Sequence, residues 1–131
     1  MLFRKIVKIG TKKGISVTDV TKNISDMVKK CGVSDGLCSV FLPATTAGLT
    51  ANENDRMLIE DFRRFFSAID EKKPYNHPSN AFSHLRASMC KAELTVPVSD
   101  GDLYLGKWQQ ILLWEFDTKD REREVIVTVM G

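Results

Sequence analysis

Apolar residues fall at Val20, Ile24, Met27, Val28 and Cys31, the spacing of one face of an α-helix. Gly32 follows at once and offers a left-handed stop. Asp19 or Thr21 stands where the N-terminal cap belongs. A second helical stripe, Leu58, Phe62, Phe65, Phe66 and Ile69, begins behind Asn54 or Asp55 and runs to Lys72-Lys73-Pro74, where proline halts it. A third helix is predicted over roughly residues 80–90, capped by Ser79 or Asn80, with Phe82, Leu85 and Met89 as its apolar stripe.

The remaining pattern is strand. Residues 2–9, 15–20, 37–42, 47–53, 94–98, 102–105 and 125–130 read as extended segments, and Ser99-Asp100-Gly101 is the turn between two of them. Residues 108–116 are apolar on both faces, with Trp108, Leu112, Trp114 and Phe116 on one and Ile111 and Leu113 on the other. Such a strand lies at the centre of a sheet covered on both sides. Helices collect in the middle and strands at both ends. This predicts one α+β domain over residues 1–131 with a largely antiparallel sheet and about three helices.

Composition narrows the classes of function. At 131 residues, 43% hydrophobic and 27% charged, the chain can bury a core without disulfides. A net charge of +2, with acids and lysines interspersed, gives no basic face for nucleic acid or a membrane surface. No apolar run approaches the ~18 residues of a membrane span, and the N-terminus lacks the apolar core of a signal peptide. Cys31, Cys38 and Cys90 are odd in number and form no Cys-x-x-Cys pair, which fits reduced thiols in the cytoplasm.

Chemistry has few places to sit. Residues 44–55, ATTAGLTANEND, form a polar stretch without lysine or arginine beside an apolar strand. It holds Thr45, Thr46, Asn52, Glu53 and Asp55. Asp55 has a plain explanation as a helix cap, whereas Glu53 precedes the cap and is left over for function. His84 lies roughly 130° around its helix from the apolar stripe, among Ala81, Ala87 and Ser88. Small neighbours let a ligand or another backbone approach the imidazole. A histidine packed at a contact is the plainer alternative. His77 sits in a proline-flanked loop, where a surface role competes with a binding role. Gln109 and Gln110 interrupt an apolar strand, and buried amides need partners. No phosphate-binding loop, nucleophile elbow or zinc motif is present.

TTAGLTANE after a strand, NAFSHLRAS on a helix, LTVPVSDGDLYLGKWQQI and the following Glu-Phe-Asp resemble the YjbQ family over nearly the whole chain. Its members are often described as secondary thiamine-phosphate synthases. The resemblance implies a curved antiparallel sheet, a cytoplasmic homotrimer and a cleft between subunits. Three segments would build that cleft: Thr45, Thr46, Asn52 and Glu53; His77 and His84; and Gly106, Trp108 and Gln109. The implied roles are His84, His77 and Glu53 in catalysis and Thr45, Thr46, Asn52, Trp108 and Gln109 in binding a small phosphorylated molecule or anion. The implied metal ligands are His77 and His84, with Mg²⁺ or Zn²⁺ as the ion.

Two departures stand out. Family members usually carry histidine before Thr-Thr, and this chain has Ala44. Three imidazoles can hold zinc with an open position, whereas two with a carboxylate such as Glu53 would bind a metal more weakly. The usual Thr after Gly106 is replaced by Lys107, a cation for a phosphate or for water. The readings left open are a thiamine-phosphate synthase joining a pyrimidine diphosphate to a thiazole phosphate, a non-catalytic anion-binding trimer, and a metal-dependent hydrolase in the same cleft.

Overall fold

The computed structural model describes residues 1–131. Eight strands and three helices follow one another along the chain: β1 (Leu2–Thr11), β2 (Ser16–Asp19), α1 (Thr21–Cys31), β3 (Gly36–Phe41), β4 (Ala47–Asn52), α2 (Arg56–Ser67), α3 (Ala81–Ser88), β5 (Glu93–Ser99), β6 (Asp102–Leu103), β7 (Gln110–Glu115) and β8 (Arg121–Met130). Every strand pairing is antiparallel. A larger sheet runs β1-β8-β3-β5-β6 and a smaller one β2-β7-β4. The expected α+β class and antiparallel sheet are what the chain forms.

β7 separates two apolar clusters by its period of two. Ile111 and Leu113 face the larger sheet and join Val20, Ile24, Val28, Cys38, Val40, Leu49 and the valines of β8 in the main core. Leu112, Trp114 and Phe116 point the other way and meet Ile59 and Phe66 of α2. The Phe66 ring lies edge-on to Trp114 at 5.1 Å and to Phe116 at 4.7 Å. The two faces expected for residues 111–116 are therefore both buried. Trp108 is the exception: it is 64% exposed. Its segment turns before the strand begins, because Gln109 donates its backbone N–H to the Gly106 carbonyl and accepts the Gly106 N–H on its side-chain oxygen.

The helix signals were local, and most held. Asp55 caps α2 by accepting the Leu58 N–H at 3.0 Å. Asp19 accepts both the N–H and the hydroxyl of Thr21, and Gly32 ends α1 at φ +78°. Between β5 and β6, Asp100 and Gly101 both take positive φ, the backbone a two-residue hairpin requires. Two expectations fail for a tertiary reason. α2 stops at Ser67, well before Pro74, because the buried Arg86 guanidinium binds the Phe66 and Ile69 carbonyls at 3.0 and 2.9 Å. α3 buries Phe82, Ser83 and Arg86 and leaves Leu85 and Met89 exposed, so of its apolar stripe only Phe82 is on the packed face. An arginine that caps a neighbouring helix has displaced two apolar residues from the interior.

Candidate functional site

α3 runs beside β4, and Gly48 lets it come close. A Cβ at position 48 would stand 2.4 Å from the Cys90 Cβ and 3.3 Å from the Ala87 carbonyl oxygen. Behind that contact Leu49 and Lys91 exchange backbone hydrogen bonds of 2.7 and 2.8 Å. The small residues on this side of α3 leave a hollow of about 400 Å³, lined by Ala44, Thr45, Ala47, His84, Ala87, Ser88, Cys90 and Ala92. His84 is half-buried and looks into it. The loop of residues 74–80 folds back through Ser79, which takes φ +73°. It sets the exposed His77 ring edge-on to His84, with ring centres 4.9 Å apart. His84, His77 and Thr45 are thus brought together, and Ala44 lies in the same hollow.

The other candidates are elsewhere. Asn52, Glu53, Gly106, Trp108 and Gln109 line a second hollow of about 450 Å³, together with Ala51 and Lys107. The Lys107 ammonium lies 5.1 Å from the Trp108 ring centre. The first hollow opens at the start of β4 and the second at its end. Five residue steps along a strand separate them by roughly 17 Å. A single chain does not close them into one cleft.

Thr46 lines neither hollow. It is buried and accepts the Arg123 Nη2–H at 2.8 Å while donating to Asp117 at 3.2 Å. Arg123 also grips Glu115 with both Nε and Nη2, at 2.7 and 2.6 Å. Glu115 is fully buried and accepts further hydrogen bonds from the Thr11 hydroxyl and the Asp117 N–H. Burial pushes the Asp117 carboxyl up, but the Arg121 guanidinium, the Thr118 N–H and the Thr46 hydroxyl together hold it below the usual carboxylate range. This network of two carboxylates and two arginines was not foreseen. Its signal was present in Glu115-x-Asp117, two carboxylates at strand period beside Trp114 and Phe116, with Arg121-x-Arg123 at the same period a few residues on. It ties the turn that carries Ala44 and Thr45 to β7 and β8, as does the Phe116 N–H donating to the Thr46 carbonyl.

Metal ligation finds two neighbouring imidazoles here: His84 lines the first hollow, and His77 stands edge-on to it outside that lining. No three histidines, cysteines and carboxylates come together in a set that could hold an ion. The donor set of one chain therefore does not fit a three-ligand zinc site. Cys90 borders the hollow, yet its thiol is not a ready ligand or nucleophile: burial pushes it up to about 12, and that of Cys38 to about 11. Iodoacetamide at pH 8 should leave Cys38 and Cys90 of the native protein unmodified and alkylate both after unfolding. Mass spectrometry of the labelled peptides reads this. Rapid native labelling of Cys90 would mean that the hollow is wetter than its apolar walls suggest.

No helix is long and apolar enough to cross a membrane. Among curated proteins, a UPF0047 protein of Archaeoglobus fulgidus is 41% identical over 92% of this chain and 95% of its own. The UPF0047 protein YugU of Bacillus subtilis is 34% identical over 97% of this chain and 98% of its own. The crystal structure of a YbjQ-like protein of unknown function from Sulfolobus solfataricus superposes with a TM-score of 0.94 at 30% identity, covering 100% of this chain and 98% of that one. A hypothetical protein from Aeropyrum pernix gives 0.91 at 32% identity, over 98% of each. The family model described as UPF0047 protein YjbQ-like matches residues 5–131. By that match over residues 5–131 and by these relatives in sequence and fold, the chain belongs to the YjbQ/UPF0047 family of uncharacterised proteins.

Proposed function

We propose that the chain is one subunit of a cytoplasmic homotrimer that binds a small phosphorylated or carboxylated molecule in clefts between subunits. The observation that carries this reading is the split of the polar residues between the two ends of β4. Each half is open and incomplete. One offers the His84 imidazole, with His77 edge-on to it from outside, and the hydroxyls of Thr45 and Ser88. The other offers Glu53, Asn52, Gln109, an ammonium and an exposed indole. A neighbour's second hollow set against the first would supply what either lacks. Three free thiols fit a reducing compartment.

In such a cleft the hydroxyls and imidazoles donate to ligand oxygens, and Trp108 gives a flat apolar wall for a ring. His84 is the group placed to move a proton. Thiamine phosphate formation from a pyrimidine diphosphate and a thiazole phosphate is the first reaction to assay. Lys107 would meet the diphosphate that leaves. No step is assigned to a metal.

The test is complementation, with pyrophosphate as the probe in isothermal titration calorimetry. His84→Ala and Trp108→Ala homotrimers should each lose binding. Co-expressed, they should recover part of it, because a mixed trimer contains clefts with both walls intact. Loss in both parents without recovery would place the two residues in separate sites. A wild type that does not bind pyrophosphate would remove the anion reading. A parallel thiochrome assay of wild type and Ala44→His shows whether the imidazole missing at position 44 limits the synthase reaction.

A further inference from the structure

β1 and α1 face one another across a hollow of about 420 Å³ at the margin of the larger sheet. From β1 it takes Phe3, Lys5 and Val7, alternate residues on one face of the strand. From α1 it takes Asn23, Met27 and Lys30, spaced as one stripe of the helix. It shares no residue with either hollow of β4. Its deeper residues are apolar: Met27 is buried, and Phe3 and Val7 are half-buried against the main core. Lys5 is the anomaly. The same face of β1 runs on through Val7 to the buried Ile9 and Thr11, so the lysine stands on the core-facing side of its strand. Charged residues take such positions rarely, and then with a partner. Neither Lys5 nor Lys30 forms an ion pair within the chain.

The one carboxylate in the lining, Asp26, is already taken by Lys22 at 2.6 Å. That hydrogen bond, aided by the charges of Lys22, Lys29 and Lys30, holds the Asp26 carboxyl below the usual carboxylate range, as a positive local field does. Apolar walls with a few charged groups at the mouth are the make-up of a small-molecule site. We propose that this hollow binds a medium-chain carboxylate, with its head at the Lys5 and Lys30 ammonium groups and its hydrocarbon chain along Phe3, Val7 and Met27. The lysine stems lengthen the apolar wall that the chain lies on. A carboxylate suits the lining better than a phosphate dianion. Lysine offers a point charge rather than the guanidinium fork that grips phosphate in two places, and the Asp26 carboxylate in the same lining repels a second negative charge. The site is independent of the trimer and of the clefts proposed above.

The experiment is isothermal titration calorimetry of the full chain with decanoate, held below the concentration at which it forms micelles. Decanoate should bind, and octanoate about tenfold more weakly for the two methylenes it lacks. Decanol has the chain without the charge and should bind about fivefold more weakly or worse. Lys5→Met and Lys30→Met keep the apolar stem and should each weaken decanoate about three- to fivefold, by less as salt rises. Asn23→Trp sets an indole into the hollow from an exposed position and should abolish binding. All three positions are on the surface, and far-ultraviolet circular dichroism shows that each variant is folded. Pyrophosphate should not compete with decanoate. Wild type that does not bind decanoate would overturn the site and leave Lys5 as a charge that keeps the β1 edge from pairing. Equal affinity for decanol, or lysine variants that bind as wild type does, would overturn the role of the two ammonium groups. Undiminished binding to Asn23→Trp, or displacement by pyrophosphate, would overturn the location.

Discussion

Arg123→Met should lose about 3–5 kcal/mol of stability, the cost of leaving a buried carboxylate without its counter-ion. Glu115 is fully buried and its two oxygens are held by Arg123, Thr11 and the Asp117 N–H. Methionine fills most of the arginine stem's volume and leaves Glu115 with the Thr11 hydroxyl and the Asp117 N–H but without a counter-ion. Urea denaturation should show the midpoint falling by more than ~1 M at an unchanged slope. The paired change Arg123→Met with Glu115→Met should recover part of the loss, since it removes the stranded charge as well. A single-variant cost under ~1 kcal/mol would mean that water reaches Glu115. Asp117 adds a dependence on pH. Its folded carboxyl titrates below the unfolded value of about 3.9. Its contribution is therefore complete above that value and is lost as pH falls through the folded one. Asp117→Asn should flatten the fall in stability below about pH 4.

Gly48→Ala should cost about 1–3 kcal/mol, far more than one methyl group would on an open strand. The new Cβ would meet the Cys90 Cβ at 2.4 Å. The end of α3 cannot simply step aside, because Leu49 and Lys91 are hydrogen-bonded to each other in both directions. The strain therefore reaches the first hollow, and pyrophosphate affinity should drop along with thermal stability. Cys90→Gly removes the clashing atom and should restore both in the double variant. Gly10→Ala serves as the control: its Cβ would meet nothing within 4 Å, and its effect should stay within ~0.5 kcal/mol. An equal cost at both positions would show that close approach is not what Gly48 provides.

Much of the architecture was legible because its signals are local. Asp55 caps α2 and Gly32 ends α1 through chemistry contained within a few residues. The two-sided burial of β7 follows from apolar residues at every position from Ile111 to Leu113. What escaped was decided at a distance. Phe65 lies on a helical stripe yet is 54% exposed, because Ile59, Phe62 and Phe66 satisfy the Trp114 and Phe116 rings without it. Leu85 lost its place to Arg86, whose partners are carbonyls 17 and 20 residues earlier. For the site, the sequence marks His77 on a loop and His84 on a helix, but that the two rings meet depends on how the loop of residues 74–80 folds back, which no local pattern carries. The placement of Thr46 was not legible either, since its partners Asp117 and Arg123 lie 71 and 77 residues away.

The order of the larger sheet sets a schedule for its own assembly. β8 is the last strand made, and it lies between β1 and β3. Leu2 pairs with Met130 and Leu37 with that same Met130. During synthesis β1 waits with neither edge paired while more than a hundred residues follow it. The helices and the smaller sheet can gather earlier, but the main core closes only on the arrival of the valines of β8. Long-range pairing of this kind makes folding slow and leaves strand edges open to wrong partners. Arg4, Lys5 and Lys8 put three positive charges on the ten residues of the waiting strand. On a nascent chain that charge is a guard against aggregation, before it is anything to the finished fold.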